Sequence, residues 1–154
     1  MSGCVARVDF LGTGNAFCPS GRMHALAILD EKILIDAPPT LLVQLRRRNS
    51  STGQIEHILF THWHGDHAFG FPFLILDRKY ITDTSADKIL ALHHRPGGRE
   101  YLTSLSKLGF PGSLEDFLES RIFWNNEESG ILEGTEWSYE RFPVRHTPET
   151  DPHG

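Results

Sequence analysis

Apolar positions follow two different spacings along this chain. Residues 4–11 (CVARVDFL) alternate well enough to predict a strand, and Gly12-Thr13-Gly14-Asn15 breaks it with a turn open to positive φ. Residues 24–29 and 32–35 predict a hairpin with Asp30-Glu31 at its turn, and Pro38-Pro39 stops the second strand. Leu41, Leu42 and Leu45 then take helical spacing, and a basic end at residues 46–48 suits the carboxyl pole of a helix dipole. Residues 55–60 predict a short strand running into a histidine-rich stretch. Asp66 is expected to cap a helix carrying Phe69, Phe73, Leu74 and Leu76.

The second half reads less sharply. Residues 88–92 predict a strand, Pro96-Gly97-Gly98 a loop, and residues 100–108 and 114–118 two helices. Residues 121–124 and 137–144 predict strands, separated by an acidic, glycine-containing stretch at 125–134. Strands alternating with helices define an α/β or α+β class. No repeat or low-complexity tract appears, so residues 1–154 are expected to form a single domain.

Composition narrows the function. With 154 residues and 39% apolar content the chain can build a core. A net charge of −5 argues against a generally basic nucleic-acid surface, although bound cations can supply local positive charge. Cys4 and Cys18 make no disulfide framework, and no basic-then-apolar leader opens the chain. The longest apolar stretch, residues 69–76, is too short to span a bilayer. A cytoplasmic protein without a membrane partner is the expectation.

Nine histidines stand out, and three of them, His62, His64 and His67, fall within six residues of Thr61-His62-Trp63-His64-Gly65-Asp66-His67. In an extended segment alternate side chains share a side, so His62 and His64 can grip one metal. A turn at Gly65 brings Asp66 and His67 to the same cavity. Two imidazoles suit zinc, iron or manganese, and the carboxylate adds a hard oxygen donor. Asp66 can instead orient or deprotonate a water. A lone histidine is more often surface or packed core, and non-catalytic metal storage is the other competing reading. His93 and His94 read as solvent-exposed loop residues, His153 as incidental, and His24 and His57 as structural. The glycine turn lacks the third glycine and following helix of a dinucleotide fingerprint, because position 17 is phenylalanine.

The run THWHGDH resembles the signature of the metallo-β-lactamase superfamily. FLGTGNAF, ILIDAPP and DHAFGFPFLILDRKY resemble the matching segments of its ribonuclease Z-like branch. The resemblance implies an αββα sandwich and hydrolysis by a metal-bound hydroxide with one or two Zn2+ ions, Mn2+ or Fe being compatible. It implies that His62, His64 and His146 hold a first metal and that Asp66 and His67 belong to a second. Asp36 is implied to lie beside them, with Asp66 acting in catalysis. The implied substrate is a phosphodiester, either RNA or a small cyclic or linear one. An inactive metal-binding or interaction module, or a hydrolase of lactones or thioesters, is the alternative.

One departure matters. The superfamily adds a bridging aspartate and a final histidine after the third histidine, whereas this chain ends eight residues beyond His146, and Asp151 sits too close to serve. The sandwich is therefore expected to be incomplete, cut at its carboxyl end. A partner chain supplying the remainder, or one metal in a reduced fold, are the other accounts. Half a sandwich leaves apolar sheet surface and strand edges open, which predicts a homodimer.

Overall fold

The computed structural model describes residues 5–85 and 87–154, so Cys4, at the start of the first expected strand, lies outside the described residues. Six strands form one sheet in sequential order: β1 Val8–Gly12, β2 Leu26–Leu29, β3 Ile33–Ile35, β4 His57–Leu59, β5 Leu90–His93 and β6 Ile122–Asn125. The first three are joined antiparallel; β3 through β6 run parallel, linked by helical crossovers. The β2–β3 turn uses Asp30 and Glu31, both with positive φ (46° and 64°). Two successive left-handed residues are what a tight hairpin turn demands.

The parallel strands carry mostly apolar residues on both faces, as buried parallel strands do. Strand pairing lines up Ile28, Leu34, Ile58, Leu92 and Trp124 across one face. That row packs with α1 (Leu41–Arg47), α3 (Phe71–Asp77), α4 (Gly98–Gly109) and α5 (Glu115–Ser120), through Leu41, Leu45, Phe71, Leu74, Leu102 and Phe117. On the opposite face run Val8, Leu29, Ile33, His57, Ala91 and Phe123, and beside them Phe10, Ala27, Ile35, Leu59, His93 and Asn125. A small hairpin, β7 (Ser129–Ile131) with β8 (Ser138–Glu140), covers part of this second face. Trp137 anchors it by donating Nε1–H to Asp30 at 2.6 Å.

Several expectations needed revision. The single helix expected after the histidine run is two pieces, the short α2 (Gly65–Ala68) and α3, separated at Gly70. A Cβ on Gly70 would sit 1.9 Å from the Pro38 carbonyl oxygen, so the backbone of the preceding loop passes where a side chain would be. Asp66 makes no capping bond; His64 occupies the cap position and Asp66 lies in the first turn. The strand expected over residues 137–144 is confined to β8, and β7 forms within the acidic, glycine-containing stretch at 125–134. Among the described residues no helix is long and apolar enough to cross a membrane.

Candidate metal centre

The carboxyl ends of β3 and β4 share one edge of the sheet, the position where open α/β sheets place ligands. β3 ends into Asp36, and β4 ends into Thr61-His62-Trp63-His64. Asp36 adopts a left-handed backbone (φ 68°), a conformation aspartate tolerates better than most residues. That turn aims its carboxylate across to the neighbouring loop, where it accepts from Thr61 N–H and Thr61 Oγ1–H, both at 2.7 Å. Its Oδ2 also lies 2.7 Å from His67 Nδ1. Backbone bonds from Ala37 N–H to the His67 carbonyl and from Gly70 N–H to the Ala37 carbonyl lock α2 against the same loop.

Those bonds decide which imidazole nitrogen is free. Thr61 gives its hydroxyl proton to Asp36, so its oxygen accepts from His62 Nδ1–H at 2.9 Å. His62 Nε2 is left as a bare lone pair, and it points at His64 Nδ1, 3.1 Å away. His146 Nε2 approaches the same His64 atom at 3.2 Å. One donor atom from each of His62, His64 and His146 falls within 4.8 Å of the other two. Three imidazole nitrogens converging on one point fit a borderline divalent cation.

Asp66 and His67 stand beside this group. His67 Nε2 is 3.4 Å from Asp66 Oδ2, and the His62 and His67 ring centroids are 4.1 Å apart. Burial pulls the His67 pKa down, but its bond to Asp36 and the charges of Asp36 and Asp66 outweigh that and raise it. His62 goes the other way: burial first, then His67 beside it, hold its pKa down at about 4. In the absence of metal His62 therefore stays neutral at pH 7, whereas Asp36 and Asp66 favour the protonated form of His67.

The structure brings together every residue singled out from the sequence at this edge: Asp36, His62, His64, Asp66, His67 and His146. Thr61 and Thr147, which hold two of the histidines, were not anticipated; the one available signal was a threonine directly adjoining a histidine in both places. Asp151 is turned away into an ion pair with Arg95 at 3.0 Å. His153 is buried and ties its backbone N–H to the Thr61 carbonyl. His93 and His94, expected in solvent, are 3% and 4% exposed. His93 ends a strand beneath the β7–β8 hairpin, and His94 packs on Trp124.

The fold and this site define the class: the chain is a ribonuclease Z-like relative within the metallo-β-lactamase superfamily. More narrowly, it belongs to the Anti-Pycsar protein Apyc1 family, whose model matches residues 6–151. Ribonuclease Z of Oenococcus oeni is 28% identical over 151 residues, spanning 90% of this chain and 45% of that protein. The short form of human tRNase Z superposes with a TM-score of 0.63 at 23% identity, covering 89% of this chain and 60% of its own. A diphosphatase from the PhnP family gives 0.63 at 23% identity, covering 97% and 61%. The chain spans less than half the length of the curated relatives it matches.

Proposed function

We propose that this protein is a metal-dependent phosphodiesterase in which His62, His64 and His146 hold one divalent ion. Asp66 and His67 contribute to a second. The convergence of the three imidazole nitrogens carries this reading. Zn2+ is the favoured ion because the donors are neutral imidazoles, with Mn2+ and Fe compatible. A bound ion would supply Lewis acidity and lower the pKa of water from 15.7 to roughly 7.

The chain's own groups do the rest. Asp36 and Thr61 orient His62 and His67. Asp66, partly exposed beside them, is placed to take a proton from the attacking water and return it to the leaving oxygen. Relatives named ribonuclease Z and a PhnP-family diphosphatase support phosphoester chemistry. Between RNA and a small cyclic or linear phosphodiester, we favour the latter. In the short basic segment at 95–99, Arg95 is ion-paired with Asp151 and Glu128 and Arg99 stacks over Trp124, so that segment offers no free basic arm to a long nucleic acid, in a chain of net charge −5.

A single domain, a cytoplasmic setting and a homodimer complete the proposal. Phe10 and Phe123 on the partly covered sheet face are 74% and 57% exposed, which favours association with a second copy. Sedimentation is expected to show a dimer, and a compact monomer would remove that part. Metal content by elemental analysis and turnover of a chromogenic phosphodiester test the rest. Both are expected to be lost together in His64→Ala; a variant retaining full turnover would sink the placing of the active metal at His64, and bound metal with no turnover in the parent protein would sink the enzyme reading.

A further inference from the structure

His64 differs from His62 in how its ring is held. Its Nδ1 faces the other two histidines, and its Nε2 lies 3.1 Å from the Thr147 hydroxyl oxygen. Thr147 Oγ1 is also 2.9 Å from Thr150 Oγ1, and Thr150 gives its own hydroxyl proton to the Thr147 carbonyl at 2.8 Å. A carbonyl oxygen can only accept. Thr150 Oγ1–H being spent there, the bond between the two hydroxyls must be donated by Thr147. Thr147 Oγ1 then has only lone pairs to offer His64, so His64 must carry its proton on Nε2 and leave Nδ1 bare.

We infer that Thr147 and Thr150 form a hydroxyl relay that fixes the tautomer of His64 and thereby presents Nδ1 to the metal. They are positioning residues, acting through His64 rather than touching substrate. The turn Pro148–Thr150, which Thr147 caps, is itself fastened to the histidine run, because Trp63 N–H donates to the Thr150 carbonyl and the following His153 N–H to that of Thr61. The relay thus mirrors, from the other side, the way Asp36 and Thr61 set His62. Both histidines end with one nitrogen pinned by a threonine and the other turned inward. Bare nitrogens facing each other at 3.1 Å with no proton between them repel unless a cation lies among them, so the relay prepares the cluster for metal.

The inference rests on the metal-binding reading above, and two measurements separate them. In metal-free protein, 15N spectra of the imidazole rings are expected to show His64 as the Nε2–H tautomer. Thr147→Val removes the acceptor, and Thr150→Val frees the Thr147 proton to point at His64. In both variants the tautomer is expected to move towards Nδ1–H, while Thr147→Ser keeps the native one. Zn2+ affinity, measured by competition with a chromophoric chelator, is expected to weaken about 10–100-fold in the two valine variants and to stay within about 3-fold in Thr147→Ser. Native tautomer and native affinity in both valine variants would overturn the relay. A native tautomer in the parent protein with no Zn2+ binding at all would overturn the metal reading instead, leaving the tautomer assignment standing.

Discussion

Two groups of histidines, one within the sheet and one in the loops at its carboxyl edge, meet opposite fates. At the carboxyl edge, His62, His64 and His146 turn nitrogens towards one another. On the face beneath the β7–β8 hairpin, His57 and His93 lie on adjacent parallel strands with Nδ1 and Nε2 3.1 Å apart. Here every nitrogen has its own partner. His57 donates Nε2–H to the Glu133 carbonyl at 2.9 Å, which leaves its Nδ1 to accept from His93 Nε2–H. His93 Nδ1 accepts from the Asn125 amide at 3.0 Å, and Asn125 donates again to Tyr139, whose hydroxyl ends the chain on the Glu127 carbonyl. Donors and acceptors alternate without a gap. Pairs of imidazoles at nearly the same spacing thus do different work. Where protons lie between the rings the cluster is a closed polar core; where relays pull the protons outward it invites a cation.

The largest expected effect separates the two outright. His146→Ala is expected to reduce metal affinity by more than the roughly 100-fold typical of an outer partner, because it deletes a donor. His146 is exposed, so folding stability in metal-free protein should change by no more than about 0.5 kcal/mol. Chelator competition and urea denaturation measure both; a large loss of stability with metal affinity intact would erase the distinction.

Acid probes the closed pair. Burial first, then His57, Arg141 and His94 nearby, lower the His93 pKa from 6.5 to about 4. The unfolded chain therefore takes up that proton before the folded one does. The stabilisation is complete above pH 6.5 and is lost as pH falls from there to about 4, by a total on the order of 3 kcal/mol. In metal-free protein, where His62 titrates in the same direction, His93→Phe should flatten part of that decline. The same substitution strands the His57 and Asn125 partners, at a cost of about 1–3 kcal/mol at pH 7. An unchanged pH profile in the variant would show that His93 does not titrate as its burial requires.

The smallest effect concerns the hairpin alone. Trp137→Phe removes the bond to Asp30 while keeping most of the apolar ring, and is expected to cost about 1 kcal/mol with metal affinity unaltered. Faster hydrogen exchange at β7 and β8 should accompany it; a change in metal affinity would mean the two histidine groups are coupled.

Much of the fold was legible in one dimension. The Asp30-Glu31 turn, the helix after Pro38-Pro39 and the strand feeding Thr61-His62-Trp63-His64 all follow from local backbone preference and apolar spacing. The motif itself places four chemically suited groups within seven residues, so no folding event is needed to see it. His57 and His93 were not legible, because they are 36 residues apart and meet only through the register that sets Leu59 opposite His93. Nor was the break at Gly70, which is imposed by the Pro38 carbonyl from another segment.

The sequence by itself determined that a metal-suited cluster would follow a strand, because strand alternation and a glycine turn are enough to point those side chains one way. Tertiary structure alone decided which nitrogens are free. That depends on Asp36 and Thr61 on one side and Thr147 and Thr150 on the other, and a proton's position is set by the geometry of its neighbours in space, not by their order along the chain.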